Sequence, residues 1–106
     1  MNTVNLIGNL TREWDIESTR NGKLVAKNSI AVRKSKDATV FIPIQAWMGT
    51  ATLLAEHTDK GDKIGIMGYL DVNEYEKDGR KNYFTYVVVQ EVTFCGSRKE
   101  QKNVNH

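Results

Sequence analysis

Phe41 and Trp47 lie six residues apart in a segment that alternates aliphatic side chains with others. On a strand, an even spacing puts both rings on one face. Val40, Ile42, Ile44, Ala46 and Met48 take the opposite face. The aliphatic face reads as core. The aromatic face also carries Pro43 and Gln45 and reads as half-buried. A ring open to solvent stacks on a nucleobase for about 1–3 kcal/mol, while nearby cations follow the phosphates. The pattern recurs further on, where Tyr75 and Tyr83 bracket Lys77, Arg80 and Lys81. Two other uses stay open for Phe41 and Trp47: covering a second core, or lining a subunit interface.

The cations that would accompany these rings are unevenly placed. The 106 residues carry 15 Lys plus Arg against 13 Asp plus Glu, a net charge of +2. Arg98, Lys99 and Lys102, set against Glu100, account for that surplus, so the domain before them is formally neutral. Within it, Arg20, Lys23, Lys27, Arg33, Lys34 and Lys36 fall in one stretch without an acid. One basic surface on a neutral body suits an anionic polymer held in a groove. Lysines on a strand edge that discourage edge-to-edge pairing are the other explanation.

Catalysis finds no support. The two histidines are His57, in a helical segment, and His106, the last residue. With the single cysteine Cys95 they cannot make a zinc quartet. Only His57 is placed to act as a base for Cys95, and no Ser/His/Asp set is apparent. Asp71, Glu74, Glu76 and Asp78 alternate with basic residues on a hairpin and read as a solvated face rather than a metal cluster. No cofactor and no metal are expected. One cysteine fits a reducing compartment. The N-terminus shows no signal-peptide pattern, and no apolar run approaches the ~20 residues of a membrane helix.

The elements that must position the rings follow from periodicity. Thr3 to Thr11 reads as a first strand, with Val4, Leu6, Gly8 and Leu10 on one face. Asn21-Gly22 is a turn. Lys23 to Lys34 is a second strand; Lys27, Ser29, Ala31 and Arg33 share its polar side. Thr39 to Met48 is the third, and Pro43, lacking an N–H, makes it an edge or a bulge near its middle. Thr50 to Thr58 is the one helix, with Gly61 as its stop signal. Lys63 to Val72 is a fourth strand whose Gly65 and Gly68 mark a bend or a close backbone approach. Asp78-Gly79 turns a hairpin into a fifth strand, Phe84 to Phe94, whose apolar run suggests cover on both faces. Trp14, Met48 and Met67 read as packing, and Tyr69 could face either way. Five strands with a helix between the third and fourth is the order of the OB-fold, a small Greek-key barrel. An all-β domain over residues 1–97 with a short polar, basic tail at 98–106 is expected.

These residues resemble the bacterial and phage single-stranded DNA-binding proteins. Val4-Asn5-Leu6-Ile7-Gly8-Asn9-Leu10-Thr11 is similar to the first strand of that family. Asn21-Gly22-Lys23, Val25-Ala26 and Ile30-Ala31-Val32 follow in its order. Phe41-Ile42-Pro43-Ile44-Gln45-Ala46-Trp47 resembles its aromatic third strand; Leu54-Ala55-Glu56, Lys60-Gly61-Asp62-Lys63-Ile64 and Gly68-Tyr69-Leu70 continue the likeness. The resemblance implies an OB-fold and binding of single-stranded DNA without strong sequence preference, in replication, recombination or repair. It implies base stacking on Phe41, Trp47 and Tyr75, with basic contacts from Arg33, Lys34 and Lys36. It implies homo-oligomers, most often tetramers with dimers as the alternative, paired through Asn2, Thr3, Val4, Asn5 and Leu6. The compartment implied is the bacterial cytoplasm, or the host's if the chain is phage-encoded.

Three departures stand out. The loop before the third strand has no aromatic residue, so one stacking platform is missing. Glu17 replaces a frequent arginine of the family. The chain ends without the family's Gly/Pro/Gln-rich linker and acidic tip, so recruitment of repair and replication enzymes through a tail is not expected. That ending fits a phage or plasmid member, or a trimmed chain. The working expectation is a sequence-tolerant binder of single strands. Lys23, Lys27, Arg33, Lys34, Lys36, Arg80 and Lys81 would meet phosphates, and bases would stack on Phe41, Trp47, Tyr75 and Tyr83. The alternative is an OB module that docks a replication or primosome partner and binds nucleic acid weakly.

Overall fold

The computed structural model describes residues 1–96. The expected tail at 98–106 lies outside them, as does residue 97. The elements are β1 (Val4–Leu10), β2 (Asp15–Ser18), β3 (Leu24–Ser35), β4 (Ala38–Trp47), α1 (Met48–His57), β5 (Lys63–Lys77) and β6 (Arg80–Phe94). The sheet runs β1-β5-β6-β4-β3-β2, and β1 also pairs with β3. That last pairing, Asn9 with Ala31 and Leu10 with Ile30, closes five strands into a barrel. With the helix between β4 and β5, this is the OB-fold.

Alternation made the strands, and it fills the barrel. Leu10, Ala26, Ile30, Ile44, Ala46, Ile64, Ile66, Val87 and Val89 form the interior, and Ala51 and Leu54 of α1 pack against it. Tyr86 to Val89 are buried consecutively, as a strand covered on both faces requires. Trp14 packs against the core, and its Nε1 donates to Thr58 Oγ1 at 2.8 Å. Thr58 in turn donates to Leu54 O, so the indole ties the end of α1 to the segment after β1.

Four features depart from the expected layout. β2 is an additional strand. All four of its residues are exposed, so it has no apolar alternation to announce it, and it is held by backbone pairing to Leu24–Lys27 of β3. The helix begins at Met48 rather than Thr50. Met48 takes a positive φ of 53° where strand turns into helix, and its side chain is exposed rather than core filler. Met67 is half-buried on the outward side, opposite Asn5 and Glu91. Gly61 does not end the helix. It sits in the turn that brings the chain back to β1, where its N–H donates to Leu10 O at 2.8 Å.

Pro43 is tolerated for a local reason. It stands opposite Ser29, whose carbonyl accepts from Thr11 N and so faces β1, away from β4. The Ser29–Pro43 pair is therefore a non-hydrogen-bonded one. The proline nitrogen faces the β6 side, where pairing starts only at Ile44.

β5 and β6 are fifteen residues each and run beyond the barrel as a two-stranded arm. Asp78 and Gly79 turn it with φ of 55° and 75°, the left-handed pair of a two-residue hairpin. At the base of the arm a bulge falls between Met67 and Gly68. A Cβ on Gly68 would overlap the Val88 carbonyl. Gly68→Ala is expected to destabilise the fold by about 1–3 kcal/mol, as overpacking does. A urea midpoint equal to that of the unaltered protein would show that β5 and β6 can separate there freely.

Candidate nucleic-acid interface

The outward face of the barrel is built by three registers. Asp15, Lys27 and Gln45 lie in one row across β2, β3 and β4; Glu17, Val25 and Trp47 lie in the next. Ala31 stands opposite Phe41, and Arg33 opposite Thr39. The parallel pairs Ile44 with Val87 and Gln45 with Val88 carry this face onto β6. From Val88 the antiparallel register carries it along the arm. Tyr69, Asp71, Asn73, Tyr75 and Lys77 of β5 stand opposite Val88, Tyr86, Phe84, Asn82 and Arg80 of β6.

The structure therefore brings Lys27, Arg33, Phe41, Trp47, Tyr75 and Arg80 onto one face. Phe41 is 65% exposed, Trp47 is half-buried beside Val25, and Tyr75 is exposed. Lys23 precedes β3, and Lys34 and Lys36 stand exposed at the β3–β4 turn. Tyr83 and Lys81 are placed differently. They pair with Glu74 and Glu76 on the opposite face of the arm, and Lys81 Nζ lies 3.5 Å from Glu74 Oε1. The two tyrosines do not bracket one cluster of cations; they point to opposite sides of one ribbon.

Sequence reasoning passed over Phe84, which shares the face with Tyr75 and exposes 43% of its surface. Its ring stacks on Tyr86 at 6.0 Å and 22°. The Tyr86 hydroxyl has Asp71 Oδ2 and Asn73 Oδ1 as acceptors, each at 3.3 Å. Burial, then the nearby Asp71 carboxylate, raises the Tyr86 pKa above that of a free tyrosine, so the phenol stays a neutral donor. The signal for Phe84 was present. A two-residue turn at Asp78-Gly79 pairs Lys77 with Arg80, and counting back from it puts Phe84 with Tyr75 and Tyr83 opposite them.

Charge on this face is partly internal. Lys27 Nζ lies 3.1 Å from Glu17 Oε2. Arg33, Lys34, Lys36 and Arg80 make no ion pair among the described residues. No group of three or more His, Cys, Asp or Glu side chains among the described residues is placed to hold a metal. No helix there is long and apolar enough to cross a membrane.

A barrel of this topology with rings and cations on one outward face is that of an OB-fold nucleic-acid-binding domain. Residues 1–95 match the Single-strand binding protein family, and the chain belongs to it. It is 32% identical over 108 residues to Single-stranded DNA-binding protein 1 of Clostridium acetobutylicum, covering 94% of this chain and 98% of that one. It is 41% identical over 101 residues to the Single-stranded DNA-binding protein of Clostridium tetani, covering 89% of this chain and 70% of that one. The protein of the same name from Oceanobacillus iheyensis is 34% identical over 109 residues, covering 95% and 67% of the two chains.

The Lys27–Glu17 contact is the simplest feature to alter. An exposed pair of this kind is worth about 0–1 kcal/mol. Glu17→Gln is expected to free Lys27 and tighten binding to oligo-dT by up to about fivefold at low salt, with the gain fading as salt rises. Equal or weaker binding in a low-salt fluorescence titration would show that Lys27 is not on the path of the strand.

Proposed function

We propose that this protein binds single-stranded DNA with little sequence preference, as a non-catalytic partner of replication, recombination or repair in a bacterial or phage-infected cytoplasm. One observation carries the proposal: Phe41, Trp47 and Tyr75 share a single outward face with Lys27, Arg33 and Arg80. Bases would stack on the rings while the cations follow the phosphates. Lys23, Lys34 and Lys36 extend the basic rim. Tyr83 and Lys81 lie on the far side of the arm and stand outside the proposed path.

The working unit in this proposal is a homo-oligomer, a tetramer by the family's habit and otherwise a dimer. β1 supports it. On the side away from β5, β1 pairs with β3 only at Asn9 and Leu10, and Gly8 lies close against Ala31, so Val4 to Ile7 keep a free edge. A second copy of β1 can add there, antiparallel, through Thr3, Val4, Asn5 and Leu6. Asn2 marks the end of that edge: its side chain accepts from Leu70 N and donates to Leu70 O, both at 2.8 Å. The domain over residues 1–97 would be the DNA-binding unit.

Titration with oligo-dT, followed by tryptophan fluorescence, tests this. Quenching that duplex DNA fails to compete away is the expected result. Lys23, Arg33, Lys34, Lys36 and Arg80 engaging phosphates would give log affinity against log salt a slope of about −3 to −4 per subunit. Tyr75→Ala is expected to weaken binding by about 5- to 150-fold, the loss of about 1–3 kcal/mol of stacking, and Tyr83→Ala by less than about twofold. Absence of binding at low salt would turn the assignment toward a module that docks a protein partner.

A further inference from the structure

Resting on that reading, we propose that a groove between β3, β4 and β6 is a subsite for a single nucleotide, whose base stacks on Phe84 and hydrogen-bonds by its edge to the Gln45 amide. The groove measures about 280 Å³ and is lined by Arg12, Lys27, Ser29, Pro43, Gln45 and Phe84, among others. It sits where the barrel face meets the arm.

Gln45 stands in the middle of this face, between Lys27 of β3 and Val88 of β6. It is only 6% exposed, yet its carboxamide makes no side-chain hydrogen bond among the described residues. A primary amide offers two donors and an acceptor. No buried side-chain nitrogen or oxygen among the described residues lacks a hydrogen-bond partner, so the unpaired Gln45 amide meets solvent at the groove, where a ligand can replace the water. A base edge supplies adjacent donor and acceptor atoms that match an amide.

Phe84 supplies the stacking surface. It is a wall of the groove, half-open to solvent, and its ring is backed by Tyr86. Tyr86 is itself fixed by Asp71 and Asn73, so Phe84 is a supported platform rather than a loose side chain. Arg12 and Lys27 at the rim stand where the phosphates on either side of the nucleotide would pass. The chain lacks an aromatic residue in the β3–β4 turn, and Phe84 provides a ring on the same face from another strand.

The test uses the full chain and oligo-dT carrying 5-iododeoxyuridine, which crosslinks to aromatic side chains under long-wavelength light. Sequencing of the crosslinked peptides by mass spectrometry is expected to find Phe84 among the attachment points. Phe84→Leu is expected to weaken oligo-dT binding by about 5- to 150-fold. Gln45→Leu, which keeps a buried side chain of similar length, is expected to weaken it by about 2- to 10-fold. Crosslinks confined to Phe41, Trp47 and Tyr75, with Phe84→Leu binding as tightly as the unaltered protein, would overturn the subsite and leave the proposed function standing. Attachment at Tyr83 instead of Phe84 would also overturn it. Failure of the unaltered protein to bind oligo-dT would overturn both. Should Phe84→Leu fail to fold, the crosslink on the unaltered chain decides.

Discussion

What the arm brings to the candidate face depends on a short parallel junction between β4 and β6. Only Ile44 with Val87 and Gln45 with Val88 are paired there. Those two pairs fix which residues of the arm share a side with the rings of β4. Because successive side chains alternate, a slip of one residue would transfer Tyr75, Arg80 and Phe84 to the other face and bring Tyr83 and Lys81 across. The junction is held by the burial of Ile44, Val87 and Val88 rather than by a long ladder of hydrogen bonds. The composition of the core thus sets the composition of the site, although no core side chain takes part in it.

Most of the barrel was legible because its strands are half-buried and follow a period of two. The two faces of β3 and β4 came directly from alternation, with Ile30 and Ile44 inside and Phe41 outside. The segment that escaped is the one with no such signal: Asp15–Ser18 is wholly exposed and owes its strand form to β3. Met48 misled because it continues the aliphatic alternation of β4 while the backbone has already turned left-handed into α1. Gly61 misled because a glycine after a helical run usually caps it. Here the chain instead reverses onto Leu10. The pairing of Tyr75 with Tyr83 failed as a spatial inference because nearness in a hairpin sequence says nothing about faces. Register decides that, and the turn fixes the register.

The electrostatics of the face argue for a moderated attraction. Glu17 holds Lys27 on this face, and Glu74 holds Lys81 on the opposite face of the arm. Both pairs are exposed, so each is weak. Among the described residues Arg33, Lys34 and Lys36 at the end of β3 and Arg80 at the tip of the arm make no ion pair. The parallel register of β4 and β6 places the β3–β4 turn and the turn of the arm at the same end of those two strands.

A hydrogen-bonding side chain in the middle of a sequence-tolerant site needs explanation, and the chemistry of the amide supplies it. Rotation of the Gln45 carboxamide by half a turn exchanges its donor and its acceptor. Each of the four bases presents a donor beside an acceptor on some part of its edge, in one order or the other. An amide free to take both orders satisfies any of them. Arginine or glutamate at this position would offer donors alone or acceptors alone and would favour particular bases. Stacking on Phe84 is likewise indifferent to base identity. The proposed subsite therefore demands a base without choosing one, and it would distinguish an unpaired strand from a duplex whose base edges are already engaged.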